Sequence, residues 1–306
     1  MRAAIISERG ATPSIQDFPA PTAVVGASLI DVKTTGLGGW DVLGAYRLGV
    51  QFPCVIRGEG VGFTADGRRV YFGERSIAPY GSWGEKTIVP DEEVWDIPPH
   101  IDDKTAIAMG IAATGALLPL ESANIQSHET VLILGATGAL GQIALQLARY
   151  LGAAKVVAAA RDEPSLEKLK QAGLADEILV LGTDDDLQAH KLVAGDGYDV
   201  VLDIVCGQPM LDALQATRPG ARIVTIGTGA GREIKLDMAH LLFRTLTTIG
   251  TGQRPPAERK DVWLRLLDIF EQEKLTVEYK EFAFEQVGEA WQTQQRGAHA
   301  KIITTL

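Results

Sequence analysis

A chain of 306 residues, 46% of them hydrophobic and 22% charged, is long enough for two ordinary domains and too balanced in composition to be disordered or fibrous. The net charge of −10, with no compensating Lys/Arg cluster, argues against a nucleic-acid partner. The only cysteines, Cys54 and Cys206, lie far apart and outside any C-x-x-C pattern, which argues against a structural zinc site. The N-terminus turns charged before a signal-length apolar run develops, and no uncharged apolar stretch of roughly 18 residues follows, so a cytoplasmic protein that does not enter a membrane is expected.

Residues 1–105 read as β-rich. Short apolar or alternating runs at 3–7, 28–33, 69–72 and 86–89 are separated by Gly, Pro and Asp, which predicts an irregular antiparallel barrel. At Thr105 the texture changes to an almost uncharged helical stretch, with a break expected near Pro119 and a domain boundary close by.

From Thr130 onward, strand and helix patterns alternate, the signature of parallel β-α-β units. The apolar run 131–134 meets Gly135-Ala136-Thr137-Gly138-Ala139-Leu140-Gly141, after which Ile143, Leu147 and Leu151 recur at helical spacing. Gly138 and Gly141 keep the register of a dinucleotide-binding turn whose first glycine is replaced by Ala136, and backbone N–H groups there can approach a diphosphate. Thr137 offers a hydroxyl to a phosphate or to the helix end. A second strand, 155–160, ends roughly 20 residues beyond the turn, where a ribose-reading carboxylate is expected. Ala160 and then Arg161 stand there instead, so NADPH is preferred over NADH: a guanidinium can pair with a 2′-phosphate and nothing at the strand end repels it. Asp162 and Glu163 can compete for Arg161. Further strands are predicted at 177–181, 199–204, 221–226 and 247–251, with helices at 139–151, 164–172 and 208–216, giving about six parallel strands. The strands ending at Val205–Cys206 and at Gly227–Thr228 finish in small residues that let a cofactor ring approach. Pro255-Pro256 then marks a break, 262–272 reads as an amphipathic helix, and the remainder returns to the style of the first region.

On these motifs, together with Tyr198-Asp-Val-Val-Leu-Asp203, Pro219-Gly-Ala-Arg-Ile-Val-Thr-Ile-Gly227 and Ala300-Lys-Ile-Ile, nearly the whole chain resembles the medium-chain dehydrogenase/reductase superfamily in its zinc-independent quinone-oxidoreductase and enoyl-reductase branch. The resemblance implies an α/β fold: a Rossmann doubly wound parallel sheet over 111–253 and a GroES-like β-rich catalytic domain over 1–110 and 254–306, with a cleft between them and a homodimer. It also implies that Thr114, Val205, Cys206, Gly227 and Thr228 lie beside the nicotinamide.

Two departures from the zinc alcohol dehydrogenases carry chemistry. Gly38 stands where those enzymes have a cysteine, and Gly58 where they have a histidine, so no zinc is expected. Without a Lewis acid, alcohol oxidation loses its means of stabilising an alkoxide, whereas conjugate reduction needs only hydrogen bonds at a carbonyl oxygen. The expected activity is NADPH-dependent reduction of small quinones or α,β-unsaturated carbonyl compounds; an enoyl-thioester reductase acting on CoA-linked substrates and a non-catalytic NADPH-binding sensor or structural protein are the alternatives. Trp40, Asp41, Leu43, Tyr46 and Arg47 are expected along the cleft. Tyr46 and Tyr80 are the candidate catalytic hydroxyls.

Overall fold

The computed structural model describes residues 1–43 and 50–306, which fall into two compact units. Unit 1 comprises Met1–Ala112, Arg254–Gln272 and Val277–Leu306; unit 2 comprises Ala113–Gln253 and Glu273–Thr276.

In chain order, unit 1 begins with β1 (Arg2–Ile6), β2 (Ser14–Asp17), β3 (Ala27–Leu37), α1 (Gly39–Leu43), β4 (Cys54–Val55), β5 (Glu59–Thr64), β6 (Arg69–Phe72), β7 (Lys86–Pro90), β8 (Val94–Asp96) and α2 (Asp103–Ala108). α3 (Ile111–Ser122) follows. Unit 2 continues with β9 (Thr130–Leu134), α4 (Ala139–Tyr150), β10 (Lys155–Ala160), α5 (Glu163–Gln171), β11 (Glu177–Val180), α6 (Asp186–Ala194), β12 (Tyr198–Asp203), α7 (Gly207–Gln215), β13 (Thr217–Thr225) and β14 (Thr245–Thr248). The tail supplies α8 (Pro256–Glu273), β15 (Tyr279–Ala283), α9 (Val287–Arg296) and β16 (Lys301–Thr305).

Unit 1 holds two sheets where a single barrel was expected. One has the order β2-β1-β4, and the other runs β15-β16-β3-β5-β6-β8 with β7 also pairing β3. Most pairs are antiparallel, but β15 and β16 are parallel. A core built around Ile5, Ile6, Leu37, Ile56, Trp83, Trp291 and Ile302 anchors the first sheet, each buried aliphatic side chain stabilising the fold by about 1.5–3 kcal/mol.

Unit 2 is the predicted six-stranded sheet, in the order β11-β10-β9-β12-β13-β14 with every pair parallel. β9 lies between β10 and β12. The chain therefore reverses its progress across the sheet between β9 and β12, which opens a crevice at their carboxyl ends.

Three expectations are corrected. Pro119 does not break its helix: α3 runs through it to Ser122, and the interruption falls at Met109–Gly110. A Cβ at Gly110 would lie 2.1 Å from the Tyr71 hydroxyl and 2.3 Å from Glu59, so the chain must thread a glycine there. The last strand is Thr245–Thr248 rather than 247–251, because pairing stops where β13 stops, at Thr225 with Thr248. α6 was not foreseen in its polar stretch. Its first residue, Asp186, accepts hydrogen bonds from the Gly182 and Thr183 N–H groups at 2.8 and 2.9 Å and starts the helix. Among the described residues, no helix is long and apolar enough to cross a membrane.

Candidate functional site

The glycine turn of unit 2 joins β9 to α4. Gly135 takes φ +86°, and its N–H and that of Ala136 both donate to the Ala159 carbonyl, tying the turn to β10. Gly141 and Gly138 do different work. A Cβ on Gly141 would sit 2.4 Å from the Gly135 carbonyl oxygen and 2.6 Å from the Ala136 Cα, so only glycine lets the helix close on the turn. A Cβ on Gly138 meets nothing nearer than 3.9 Å, which leaves its outer face open to a ligand. Gly138 is the N-cap of α4 and has no side-chain cap, so Thr137 does not cap the helix. The first N–H groups of α4, at Ala139, Leu140 and Gly141, have no acceptor within the helix, and the helix dipole favours an anion there.

Other predicted residues gather round this turn. Gly115, next to Thr114 on α3, leaves room for the Leu140 side chain, 3.0 Å from where its own Cβ would be. Val205 lies 3.0 Å from the corresponding point at Gly135. The Val205 and Cys206 N–H groups donate to one oxygen of buried Asp203 at 2.9 and 2.7 Å, and burial raises that carboxyl above its usual pKa. Cys206 itself has φ +57° and forms the N-cap of α7. Gly227 and Thr228 run alongside: Ile226 N–H donates to the Asp203 carbonyl and Ala230 N–H to the Val205 carbonyl. A Cβ at Gly227 would collide with the Ile204 carbonyl oxygen at 1.9 Å. Arg161 is exposed at the end of β10, and among the described residues no salt bridge holds its guanidinium. The Asp162 carboxylate accepts from Ser165 N–H at 2.9 Å as the N-cap of α5.

Unit 1 contains a second constellation. Glu59 on β5, 1% exposed, pairs with the Lys301 ammonium on β16 at 2.5 Å, and Lys301 is 2% exposed. The other Glu59 oxygen accepts from the Tyr71 hydroxyl at 2.7 Å and from Ile111 N–H, at the start of α3, at 2.9 Å. Tyr71 stacks on Trp263 with ring centroids 5.0 Å apart, and burial beside Glu59 holds its phenol well above the usual pKa. Asp41 on α1 is 4% exposed. One oxygen accepts from Gly38 N–H at 2.8 Å and the other has no hydrogen-bond partner. Burial, reinforced by the nearby Glu74 carboxylate, pushes the Asp41 pKa up to about 7.

Sequence reading placed Asp41 along the cleft but missed its link to Glu59 and Lys301. A lone charge of each sign inside two buried strands was the available signal. Trp40 is exposed, while Tyr46 and Arg47 lie outside the described residues. Tyr80 edges onto Phe18, and its hydroxyl donates to the Ala20 carbonyl at 3.4 Å. It also lines a 320 Å³ pocket with Val50, Gln51, Cys54, Arg57 and Pro79. Gly58 has φ +41°, and a Cβ there would lie 2.7 Å from Ser82 Oγ and 2.8 Å from the Gly36 carbonyl oxygen, so a metal-binding side chain has no room. Among the described residues, no group of three or more His, Cys, Asp or Glu is arranged to hold a metal ion.

Comparison with known proteins adds family relationships. Residues 139–268 match the zinc-binding dehydrogenase family. The chain is 25% identical over 322 aligned positions to the quinone oxidoreductase-like protein 2 homolog of Nematostella vectensis, covering 99% of this chain and 88% of the relative. With the Rattus norvegicus quinone oxidoreductase-like protein 2 it shares 28% identity over 66% of this chain, but the match spans only 57% of that protein's length. Among solved structures, the Pseudomonas syringae pv. Tomato DC3000 quinone oxidoreductase superposes with a TM-score of 0.88 at 20% identity, covering 100% of this chain and 99% of the other. A mycobacterial protein complexed with NADPH gives 0.86 at 21% identity, with both chains covered completely at 100%. At these identities the structural matches speak for the fold.

Proposed function

The chain belongs to the medium-chain dehydrogenase/reductase superfamily, in its quinone-oxidoreductase branch, and from that premise we propose that it is an NADPH-dependent, zinc-independent reductase of quinones or α,β-unsaturated carbonyl compounds. The observation that carries the cofactor reading is the glycine turn, closed to side chains at Gly141 and open at Gly138, with Arg161 exposed at the end of the neighbouring strand.

The residues present fit the dinucleotide. Amides of Ala139, Leu140 and Gly141 would hold the diphosphate, Arg161 would pair with the 2′-phosphate, and the small residues after β12 and β13 would admit the ring. Bound NADPH supplies hydride to an electron-poor carbon. Zinc does not fit: Gly38 and Gly58 offer no donor atom, and Gly58 cannot accept one. Relatives named quinone oxidoreductase-like support the choice of quinones as the substrate class. We also propose a homodimer through the edge strand β14, whose neighbourhood leaves Met238, Leu242 and Phe243 exposed; light scattering at the monomer mass of 32.8 kDa would count against it.

The test is oxidation of NADPH beside NADH with 1,4-benzoquinone, 9,10-phenanthrenequinone and several enones, in EDTA. Turnover that prefers NADPH, survives chelation and loses about tenfold or more of that preference in Arg161→Ala is expected. Activity abolished by EDTA overturns the zinc-free reading. Tight NADPH binding with no turnover on the whole panel overturns the enzyme reading in favour of a sensor.

A further inference from the structure

The turn after β12 is strained. Cys206 takes φ +57° and ψ −164°, a backbone region that ordinarily belongs to glycine, and Gly207 follows at φ +70°. Such a conformation costs a non-glycine residue on the order of 1–3 kcal/mol and persists only where its surroundings impose it. Here one buried side chain imposes it. Asp203, 0% exposed at the last position of β12, accepts with Oδ1 from the Val205 and Cys206 N–H groups at 2.9 and 2.7 Å. This is an Asx-type turn, in which a single oxygen fixes two amides before α7 begins. Thr225, the register partner of Asp203 on β13, is close enough for its hydroxyl to ease the charge, although neither Asp203 Oδ2 nor Thr225 Oγ1 completes a hydrogen bond.

The turn is packed on both sides. Toward β9, Val205 Cγ1 and Ile204 Cβ stand 3.0 and 3.4 Å from the point a Gly135 Cβ would occupy, where the sheet reverses its order. Toward β13, the Val205 carbonyl accepts from Ala230 N–H at 2.7 Å, and the Ile204 carbonyl oxygen leaves no room for a side chain at Gly227. All of these residues belong to unit 2. Loosening Val205 and Cys206 therefore disturbs a surface on which both flanking loops rest. Among the described residues, no hydrogen bond links the Asp203 carboxylate to the start of α4 or to Arg161.

We propose that Asp203 is a positioning residue for the nicotinamide end of the cofactor: by holding Val205 and Cys206 in their strained turn, it keeps the end of β12 in the shape that receives the ring. This rests on the NADPH reading above and deepens it. The amides at the start of α4 and Arg161 serve the phosphates, and Asp203 acts on the other end of the dinucleotide through two backbone amides. Oδ1 works only as an acceptor. An amide side chain therefore serves as well as the carboxylate, and a hydrocarbon of similar size does not.

The experiment compares two ligands by isothermal titration calorimetry of the full chain: NADPH, and 2′-phospho-ADP-ribose, which is NADPH without the nicotinamide. Wild type is expected to bind NADPH more tightly. Asp203→Val keeps the volume and strand preference of the site but no acceptor; it should weaken NADPH about tenfold or more and leave the fragment within about threefold. Asp203→Asn should hold both ligands within about threefold of wild type. Asp203→Ser, whose hydroxyl makes the same turn more weakly, should fall between them for NADPH alone, and it carries the comparison if Asp203→Val does not fold. A merely structural role would weaken both ligands together, and that result overturns the inference. So does unchanged NADPH binding in Asp203→Val and Asp203→Ser, or a wild type that binds the fragment as tightly as NADPH. A wild type that binds neither ligand overturns the cofactor reading itself, so the two failures are told apart.

Discussion

The glycine turn of unit 2 and the charge cluster of unit 1 are assembled in opposite ways. The turn is built from seven consecutive residues, Gly135 to Gly141, so its geometry is written into one short stretch. The cluster draws Asp41, Glu59, Tyr71 and Lys301 from four separate elements, and its central ion pair spans 242 residues of sequence. Local backbone demands leave a glycine signature that survives without the rest of the fold. A cluster closed by sheet pairing leaves only an odd charge in each buried strand.

If that contrast is right, the most severe effects should come from the glycine each site cannot do without. Gly141→Ala drives a methyl into the Gly135 carbonyl, and Gly110→Ala drives one into Tyr71 and Glu59. Each should cost about 3 kcal/mol or more, read as lost soluble yield or a drop in Tm. A variant that melts within a few degrees of wild type would mean its site yields to strain.

Next in size is Asp41→Asn, which should sharpen the case for a strained carboxyl. The folded pKa of about 7 lies above the unfolded value, so protonated Asp41 stabilises the fold fully below about pH 4, and this contribution is lost as pH rises through 7. Wild type and variant should have similar stability near pH 4 and diverge with rising pH. By pH 8 the variant should be more stable, by on the order of 3 kcal/mol in urea unfolding. A gap independent of pH would sink the idea.

Unit 2 has an opposite counterpart in His190, fully buried beside Tyr198, with Nε2 unpartnered and its pKa pushed down to about 4 by burial. A depressed histidine leaves stability intact above the unfolded pKa of about 6.5 and erodes it as pH falls toward 4. Between pH 7.5 and 5, wild type should lose about 2 kcal/mol more than His190→Gln in the same denaturant series. Parallel curves would show that His190 is not the acid-sensitive group.

The smallest effect on stability should be Gly138→Ala, at φ −74° with open space around it: within about 0.5 kcal/mol of wild type, but with NADPH binding weakened in fluorescence titration. Unchanged binding would mean the cofactor does not approach this face.

Legibility followed the same division. The six parallel strands, the glycine turn and the Arg161 strand end were readable because apolar runs, helical spacing and turn glycines act over a few residues. The helix break was misplaced because Pro119 is a local signal, whereas the real interruption at Gly110 answers to Tyr71 and Glu59, which come from other strands. α6 escaped because its start depends on a carboxylate folding back on two preceding amides, in a stretch whose composition reads as loop. Asp41 was noticed for its position and not for its chemistry, since neither the Lys301 ammonium nor the Glu74 carboxylate is near it in sequence.

The place of β16 carries one more consequence. It inserts between β15 and β3, although it follows all of unit 2 in the chain, and it brings Lys301 to Glu59. A ribosome reading the chain in order therefore releases all of unit 2 before unit 1 can complete its sheet. Until then Glu59 has no ammonium beside it, and the portion synthesised first waits longest to become native. Translation ending just short of Lys301 would leave an apolar groove along β3 and an uncompensated buried carboxylate, a product for proteolysis rather than a shortened enzyme.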